Sequence, residues 1–483
     1  MRQLFNQIRT WMPQSIWGVT IVCGAVSCYF SLRSGFCADD FLILWDSRGP
    51  FWELVRSHIT APDLFSVAYY RPLQRLVHLI EFKVFGSSAL LYHAVSILIH
   101  LSNAVLAHRL FLKMGAPTRV AGIAAVVFAT HPAQTEPVTF ISALSGVIAA
   151  TCLLAAMNLY LRFLDTGSLQ TGGGVLLTVT LALLSKEDAV SAPITLGIVW
   201  IFISRARRRL WPVLATVPLV VVWLLWRWEI GGALDPGGNG FSTNPLTIVR
   251  NLPFHVVRFL VSVRSIFRLT DFENYYALRD ALLPTPHGAV YIVAVLAIAL
   301  VTGVWVWRQW HKWPDYVKCG LGIGISGLLL YLPLRESATR FLYFPSVGLS
   351  VAAVGIIVAR DTRWRRGILY AWIVVLAVST VEQTSTWYQA GRRVDSVLQE
   401  AVKVRQQHPP GVGTVFIDFP RRHYAALVFP IGLEYAIRWR TKTDWPYIYV
   451  MRDLPRNPAV LPDSMLWYRW ADDRFVPAKP SNP

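Results

Sequence analysis

The chain has 483 residues, of which 54% are hydrophobic and only 15% are charged. An average soluble domain has about 25% charged residues, so this composition excludes an ordinary soluble protein and indicates a chain that lies largely in lipid. The formal net charge is +18, from 46 Lys and Arg against 28 Asp and Glu. A basic balance often accompanies nucleic-acid binding. Here the basic clusters lie in short loops between apolar stretches, so we expect contacts with membrane lipids or an anionic substrate and no nucleic acid.

Apolar stretches of about 17–25 residues can cross the hydrocarbon core of a membrane as helices, and about eleven candidates occur here. The first follows a basic N-terminal segment without a clear small-residue cleavage site, so we predict an uncleaved first span. The third and fifth are short, and we expect their ends to dip into the membrane without reaching its far face. In chain order the stretches lie near 15–33, 88–113, 118–131, 137–163, 173–186, 188–204, 211–228, 289–309, 316–334, 342–360 and 367–384.

The basic residues of the short loops predict how the chain is oriented. Clusters lie at 109–119, 205–209, 308–312 and 360–366, and the positive-inside rule places all four in the cytoplasm. Counting spans between them puts the N-terminus inside. The external side then holds a first loop at 34–87, a loop at 229–288 and the C-terminal tail. The Arg-studded segment 244–270 is predicted to lie along the membrane interface instead of spanning it.

These observations predict a transmembrane unit over 1–384 and a small external unit over 385–483. In the external unit, the stretches "GTVFIDFP", "ALVFPIGLEYAI" and "WPYIYVM" predict short strands and one helix. The predicted fold class is an all-α polytopic membrane protein with a small C-terminal α/β or α+β domain. We expect that domain to cover a site or to recognise an acceptor.

Five polar clusters fall on the predicted external face, where charges beside lipid cost free energy. Each has a simpler explanation when taken alone, such as a helix cap, a turn or an interfacial anchor. Their convergence on one face favours a functional site. The clusters are Asp39 with Asp40, Tyr69 to Leu73 in "YYRPL" with Tyr70 and Arg71 as candidates, His131 and Glu136 in "HPAQTEPV", Lys186, Glu187 and Asp188 in "SKED", and Arg340 with Tyr343 in "ATRFLYFP".

Polar residues also recur inside one predicted span. His93 and His100 are seven residues apart and Asn103 is three further on, so all three share a face of the helix. We predict that they form hydrogen bonds between helices instead of binding a ligand.

The order of the motifs resembles that of lipid-donor glycosyltransferases with the GT-C fold. The resemblance covers about 35–350 through "YYRPLQRLVHLIEFKVFG", "YHAVSILIHLSNAVLAHRL", "FATHPAQTEPVTFISALSGVIA", "LALLSKEDAVSAPI" and "TRFLYFPSVG". It is strongest to the protein O-mannosyltransferase branch and to transmembrane mannosyltransferases with tetratricopeptide repeats, although no 34-residue repeat occurs in this sequence.

The resemblance implies an enzyme that moves a sugar from a polyprenyl-phosphate carrier to an acceptor hydroxyl of a glycan, lipid or protein. We expect a bacterial inner-membrane protein whose active site faces the periplasm. The resemblance puts the acidic pair of the first loop, Asp39 and Asp40, at the reacting centre. It leaves the cofactor open, with Asp39 or Asp40 as the ligand of any divalent cation.

The chemistry of the residues agrees with this interpretation. A carboxylate within hydrogen-bond reach can take the proton of an attacking hydroxyl, and we predict that Asp39 is this base. Partial burial and repulsion between the two carboxylates would raise the pKa of one of them. Arg71, Lys186 and Arg340 are candidates to bind the carrier phosphate. His131 and Glu136 are predicted to shape the acceptor pocket, and Tyr70, Glu187 and Tyr343 to contact substrate.

Two other classes of function remain open. A flippase or transporter for a polyprenyl-linked sugar would also place cations against a lipid phosphate. However, it explains less well why the charges gather at one face and do not follow a path through the bilayer. A structural subunit would leave the acidic pair without a task. Turnover of a polyprenyl-phosphate sugar by the purified protein separates these classes.

Overall fold

The computed structural model of the chain is a bundle of helices that continues into a small β-sheet. Most of the predicted span at 289–309, of the loop 229–288 and of the basic loop 205–209 lies outside the residues that it describes. The structure describes residues 18–63, 69–203, 209–231, 242, 244–260, 297, 301, 303–304, 306–334, 338–359, 362–409, 412–423, 426–443, 448–450 and 465–478.

Helices dominate the described residues up to 406, because a chain in lipid must satisfy its backbone hydrogen bonds within each segment. Short 3₁₀ turns at Pro132–Gln134, Ile141–Ala143, Glu187–Ser191 and Thr339–Leu342 connect some of them. The α-helices are, in chain order, α1 (Gly18–Ser27), α2 (Tyr29–Leu32), α3 (Asp40–Asp46), α4 (Phe51–Thr60), α5 (Pro72–Phe85), α6 (Ala89–Lys113), α7 (Thr118–Thr130), α8 (Thr135–Thr139), α9 (Leu144–Thr166), α10 (Leu169–Leu183), α11 (Ala192–Ile203), α12 (Trp211–Gly231), α13 (Pro245–Leu260), α14 (Asp315–Leu328), α15 (Tyr343–Val358) and α16 (Arg363–Gln406).

Among the described residues, five helices are long and apolar enough to cross a membrane by length and composition. They are α6, α12, α16, and the helices formed by α9 and by α15 together with the 3₁₀ turn before each. Helices α1, α7 and α10 are apolar but shorter, and α7 and α10 are the spans that the sequence predicted to be short. The predicted fold class of a helical polytopic membrane protein with a small C-terminal sheet is confirmed. The number of spans stays a prediction.

Helix α13 covers the first part of the segment predicted to lie along the interface. Its described part, Pro245–Leu260, has 16 residues. The Asn251 amide at its centre donates to the carbonyl oxygens of Leu332 and Leu334, both at 2.8 Å. The helix is therefore tied to the segment between α14 and α15, and the remainder of the predicted interfacial stretch lies outside the described residues.

Helices α14 and α15 pack closely because glycines line their contact. A Cβ atom on Gly348 would lie 2.3 Å from the carbonyl oxygen of Gly320, and one on Gly324 would lie 2.6 Å from a Leu349 methyl group. Small residues permit this approach of two backbones in a membrane. The segment between the two helices carries Tyr331 and Arg340, so the packing fixes where both side chains lie.

The last span continues far beyond its predicted end. Helix α16 has 44 residues and runs to Gln406, so the predicted domain boundary at 384 falls inside this helix. The reason is visible in the sequence, where residues at helical spacing are buried along the extension: Trp387, Ala390, Gly391, Val394, Val397, Leu398, Ala401 and Val404. The extension carries the bundle directly into the C-terminal sheet.

The described residues of the C-terminal unit, within 412–478, form a mixed sheet and a helix, α17 (Leu433–Thr441). Its strands are β1 (Thr414–Ile417), β2 (Arg422–His423), β3 (Ala426–Leu427), β4 (Ile448–Val450), β5 (Leu466–Ala471) and β6 (Arg474–Ala478). Strand β1 pairs in parallel with β4 and β5, β5 pairs antiparallel with β6, and β2 and β3 form a separate ribbon. The predicted short strands and helix are thus present, and the sequence analysis missed the β5–β6 hairpin.

Candidate functional site

A cavity of about 400 Å³ opens at one end of the bundle, between the first loop, the starts of several helices and the C-terminal unit. One part of its wall is apolar, with Val190, Leu224, Leu330, Leu334 and Phe341. The other part is charged, with Asp39, Arg71, Lys186, Glu187, Asp188, Arg227 and Arg340. The cavity can therefore hold a ligand that has a charged group next to an apolar one.

Asp39 immediately precedes helix α3, and its carbonyl oxygen accepts the amides of Leu42 and Ile43 at 3.0 and 3.2 Å. Its carboxylate is half-buried and lines the cavity. The Oδ1 atom is buried and has no hydrogen-bond partner among the described residues. Burial raises the pKa of Asp39 to about 7, the Asp40 carboxylate adds to the rise, and the Arg340 guanidinium opposes it. This is the direction that the sequence predicted for one member of the pair.

Asp40 points away from its neighbour and into the protein. One carboxylate oxygen accepts the Cys37 amide at 2.9 Å, and the other accepts the amide and the hydroxyl of Ser142, both at 2.9 Å. Burial raises its pKa to about 6, although these hydrogen bonds lower it. Asp40 therefore fixes the first loop against the start of α9, and both of its oxygens are occupied.

Arg71 lies just before α5, where Pro72 begins the helix. Its guanidinium forms a bidentate ion pair with Glu187, with Nε at 3.0 Å from Oε2 and a second, shorter contact to Oε1. Burial by itself would raise the pKa of Glu187, but the ion pair with Arg71 lowers it to about 2. The Leu73 amide donates to the Leu184 carbonyl at 3.0 Å, so the first loop and the "SKED" segment are held together.

Two adjacent tyrosines lie differently relative to the cavity. The Tyr70 hydroxyl donates to the Ile59 carbonyl at 2.9 Å and its side chain is buried away from the cavity. Tyr69 lines the cavity, with the Arg71 guanidinium over its ring at 4.1 Å from the centroid. Tyr70, for which the sequence predicted a substrate contact, therefore does not line this cavity, and that contact stays a prediction.

Lys186 is buried at the wall of the cavity and is held by two groups. Its Nζ atom lies 2.9 Å from Asp188 Oδ2 and 3.2 Å from the Tyr331 hydroxyl. Gly146 faces it, since a Cβ atom there would lie 3.4 Å from Nζ. The ammonium group is thus oriented, and its charge is compensated by one carboxylate.

Arg340 lies in the 3₁₀ turn before α15 and is paired with Glu136. Its NH1 atom is 2.5 Å from Glu136 Oε1, and its backbone amide donates to Oε2 at 3.0 Å. Burial by itself would raise the pKa of Glu136, but the Arg340 guanidinium lowers it. Arg340 lines the cavity whereas Glu136 lies behind it, so Glu136 orients the arginine.

His131 and Tyr343 do not line the cavity. His131 Nε2 is 2.8 Å from the Phe259 carbonyl oxygen, and its Nδ1 accepts the Ala133 amide at 3.0 Å. The Tyr343 hydroxyl lies 2.9 Å from His100 Nδ1 and accepts from the Asn103 amide at 3.0 Å. The prediction that His100 and Asn103 bond between helices is confirmed. The predicted substrate contacts of His131 and Tyr343 do not hold for this cavity, because both side chains are used in packing.

Sequence reasoning missed several residues of the cavity wall, among them the polar residues Ser142, Arg227 and Tyr331. Arg227 could have been found, because it is a charged residue near one end of an otherwise apolar span. Asp188 was named as part of the "SKED" cluster, although no role was predicted for it. Ser142 and Tyr331 carry no signal of their own, since only the fold brings them to the site.

The described residues do not by themselves form a site for a divalent cation. Mg²⁺ and Ca²⁺ bind six or more oxygen ligands. Asp39 Oδ1 has no hydrogen-bond partner among the described residues, whereas both Asp40 oxygens accept hydrogen bonds and Asp188 is paired with Lys186. Among the described residues, no group of three or more His, Cys, Asp or Glu side chains is arranged to hold a metal. A cation would have to take its remaining ligands from a substrate phosphate.

Two curated proteins similar to this chain are both protein O-mannosyl-transferases. Protein O-mannosyl-transferase Tmtc1 of Drosophila melanogaster is 30% identical over 180 residues, which are 35% of this chain and 20% of that protein. Protein O-mannosyl-transferase F38B6.6 of Caenorhabditis elegans is 22% identical over 347 residues, which are 66% of this chain and 47% of that protein. The resemblance to O-mannosyltransferases is thereby confirmed. The chain spans less than half the length of these relatives, and no protein-family model matches it.

Solved structures of membrane transferases are similar at low identity. ArnT from Cupriavidus metallidurans bound to undecaprenyl phosphate is 13% identical, with 94% of this chain and 93% of that chain covered and a TM-score of 0.47. The Archaeoglobus fulgidus oligosaccharyltransferase tethered with an acceptor peptide is 13% identical, with 92% and 64% covered and a TM-score of 0.45. The same enzyme in complex with Zn and sulfate has a TM-score of 0.44. With TM-scores below 0.5, none of these structures assigns a role to a residue here.

Proposed function

We propose that this chain is a GT-C-type glycosyltransferase that moves a sugar from a polyprenyl-phosphate donor to an acceptor hydroxyl. The observation that carries the proposal is the buried Oδ1 atom of Asp39, which has no hydrogen-bond partner among the described residues and lies at a cavity with cations on its wall. A buried carboxylate oxygen without a partner costs free energy, so a site that keeps one is arranged for a donor that arrives with the substrate.

In this proposal Asp39 is the general base. The acceptor hydroxyl oxygen attacks the anomeric carbon, the bond from that carbon to the phosphate oxygen breaks, and polyprenyl phosphate leaves with the bonding pair. The hydroxyl proton passes to Asp39 as the new bond forms. A base with a pKa near 7 is well matched to this step, because about half of it is ionised at neutral pH and it is basic enough to accept the proton.

The cations of the cavity stabilise the leaving phosphate. Arg71, Lys186 and Arg340 are each paired with a carboxylate, which fixes their direction before substrate arrives. The two arginines keep N–H donors for the phosphate, because a guanidinium has five donors and the contacts to Glu187 and Glu136 use only some of them. The developing charge on the phosphate can therefore be met without reorganisation of the site. The polyprenyl chain fits the apolar wall formed by Leu224, Leu330 and Leu334.

The acceptor, the donor sugar and the side of the membrane belong to the proposal as well. The positive-inside count puts the cavity on the external face, which in a bacterium is the periplasmic face of the inner membrane. No nucleotide sugar is then required, because the activated donor is delivered in the lipid. The names of the curated relatives favour mannose as donor sugar and a hydroxyl as acceptor.

The test is transfer from a polyprenyl-phosphate sugar by the purified protein in detergent. We expect wild-type turnover, and a loss of about 10²–10⁴-fold for Asp39→Asn, as for removal of a general base. Asp315→Asn is the matched control, since this aspartate is exposed near the start of α14. If Asp39→Asn folds and transfers sugar at the wild-type rate, Asp39 is not the base.

The flippase alternative is tested in the same preparation. A flippase needs the cations that bind the lipid phosphate but has no use for a proton acceptor. Translocation of a labelled polyprenyl-phosphate sugar across proteoliposomes, unchanged by Asp39→Asn and without release of polyprenyl phosphate, would support the flippase and contradict the transferase.

A further inference from the structure

The loop that carries Asp39 is held between two glycine contacts. On one side, Gly391 of α16 lies so close that a Cβ atom there would be 2.9 Å from the Gly35 amide nitrogen. On the other side, a Cβ atom on Gly432 would be 2.7 Å from the Ala38 carbonyl oxygen. Real Cβ atoms do not approach that closely, so only glycine fits at these two positions.

The backbone between these contacts is held in an unfavourable conformation. Ala38 has φ of +46°, a left-handed conformation that is unfavourable for a residue with a Cβ atom. Its amide donates to the Val428 carbonyl at 3.0 Å. Strained residues persist only where the surroundings determine them, and here the surroundings are the turn 428–432 of the C-terminal unit. Ala38 directly precedes Asp39, so its conformation sets the direction of the Asp39 side chain.

Side chains extend the same contact. Phe41 stacks on Phe429 with ring centroids 5.9 Å apart, and Trp45 lies beside Tyr435 at 6.5 Å. Cys37, Ala38 and Phe41 share one buried hydrophobic cluster with Phe429 and Leu433. The first loop and the C-terminal unit thus form a common core.

We propose that the C-terminal unit is part of the catalytic centre, in which Gly432, with Gly391 on the opposite side, positions the loop 35–39 and thereby aims Asp39 into the cavity. This proposal rests on the proposed function, since it gives Asp39 its task. It assigns to the C-terminal unit a role in the chemical step, beyond the covering or acceptor recognition that the sequence indicated. Gly432 and Gly391 are positioning residues, because they touch the loop and not the substrate.

The first test compares Gly432→Ala with Gly115→Ala. Both glycines have positive φ, +92° and +86°, so both substitutions strain the backbone, but a Cβ atom on Gly115 has no neighbour within 4 Å. We expect Gly432→Ala to lower kcat by tenfold or more with the KM for the donor within about twofold, because misplacement of a catalytic group by about 1 Å can cost 10²-fold. The acid limb of its pH–rate profile should also move. Gly115→Ala should match the wild type in both.

A second pair covers the case in which Gly432→Ala does not fold. Phe429→Leu loosens the contact with the loop, whereas Phe475→Leu loosens the same unit at its β5–β6 hairpin, where Phe475 packs on Phe416 and Trp470. We expect Phe429→Leu to reduce kcat several-fold more than Phe475→Leu at equal loss of thermal stability. Equal effects of the two substitutions on kcat would overturn the proposal.

A readout without activity separates this proposal from the proposed function. Cys37 is 3% exposed and lies within the loop 35–39, which Gly391 and Gly432 hold from two sides. Alkylation of Cys37, followed on its peptide by mass spectrometry, should be at least tenfold faster in Gly432→Ala or Phe429→Leu than in the controls. If Cys37 responds in this way but neither wild type nor variant transfers sugar, the positioning of the loop 35–39 by the C-terminal unit is supported and the proposed transferase function is contradicted. If the folded variants show wild-type labelling of Cys37 and wild-type kinetics, the C-terminal unit does not position the loop 35–39 and the proposal is wrong.

Discussion

Two adjacent aspartates have opposite surroundings in this protein, and the difference between them is a matter of backbone direction. Asp40 accepts three hydrogen bonds and joins the first loop to Ser142. Asp39 faces the cavity with one oxygen that lacks a partner among the described residues. A carboxylate that is fully bonded is a poor proton acceptor, whereas a partly buried one without donors has its pKa raised. In the proposed function the acid–base task therefore falls on Asp39.

The pKa of Asp39 predicts how transfer and stability depend on pH. The folded-state pKa of about 7 lies above the unfolded value of about 4, so transfer should rise with pH through about 7 as the base ionises. The stability linked to Asp39 is fully present below about pH 4 and is lost as pH rises through about 7. Asp39→Asn should therefore be inactive but unfold at a higher temperature than wild type at pH 8. A pH–rate profile and thermal unfolding in detergent measure both, and a flat profile between pH 5 and 8 would contradict the assignment.

Replacing a cationic side chain of the cavity by a neutral one should lower the rate of sugar transfer, because the leaving phosphate is then stabilised less. We expect Arg71→Gln, Lys186→Gln and Arg340→Gln each to lower kcat/KM by about 10²–10³-fold, as when an electrostatic stabiliser of a transition state is removed. Arg71→Gln also leaves Glu187 buried without its partner, so the double variant Arg71→Gln/Glu187→Gln separates lost folding from lost chemistry. Lys442→Gln, at an exposed position of the C-terminal unit, is the control. Unchanged kinetics in all three single variants would rule out this phosphate site.

At the scale of the element, helix α16 connects the bundle to the site. Its extension beyond the predicted span buries a regular stripe, and Trp387 on that stripe stacks on Phe140 with ring centroids 5.4 Å apart. Phe140 lines the cavity. The extension thus supports the wall of the cavity and, through Gly391, the loop that carries Asp39.

This role predicts different effects for two tryptophans of the same helix. Trp387→Ala should destabilise the protein by about 3–5 kcal/mol, since a large buried ring is lost from the core. Trp364→Ala should have little effect, because Trp364 is 66% exposed near the start of the helix. Thermal unfolding in detergent measures the difference. Equal shifts of the two melting temperatures would show that the extension is not packed as described.

At the scale of the whole molecule, the cavity exists only because segments far apart in the chain meet at one end of the bundle. Asp39, Arg71, Lys186, Arg227 and Arg340 come from five separate connections or helix ends. The ends of helices are where polar groups are tolerated in a membrane protein, because they reach water or the interface. A charged site at the bundle's end is therefore compatible with apolar helices in lipid.

The positive-inside rule predicts on which side of the membrane that end lies. A single cysteine in the basic loop 205–209 should be labelled only from the cytoplasm, and Arg474→Cys in the C-terminal unit only from outside. Both are placed in a background without the five native cysteines and labelled in intact cells with a membrane-impermeant maleimide. The Cys-free protein is the control for labelling. If the loop 205–209 reacts from outside, the predicted orientation is inverted.

The sequence alone determined the fold class and most of the charged wall. Apolar length, basic loops and polar residues beside spans are local signals, because lipid penalises every charge according to its position along the chain. They predicted the helical membrane protein, the small C-terminal domain, and Asp39, Arg71, Lys186, Glu187 and Arg340 at one site.

Only the tertiary structure decided which residue of a polar cluster faces the cavity. Tyr69 lines the cavity and Tyr70 does not, and Asp39 lines it whereas Asp40 bonds to Cys37 and Ser142. Glu136 and Glu187 serve as partners of arginines that lie more than 100 residues away in sequence. The C-terminal unit joins the site through contacts between Gly432 and Ala38. Such choices depend on packing between distant segments, and no pattern of nearest neighbours in a sequence contains that information.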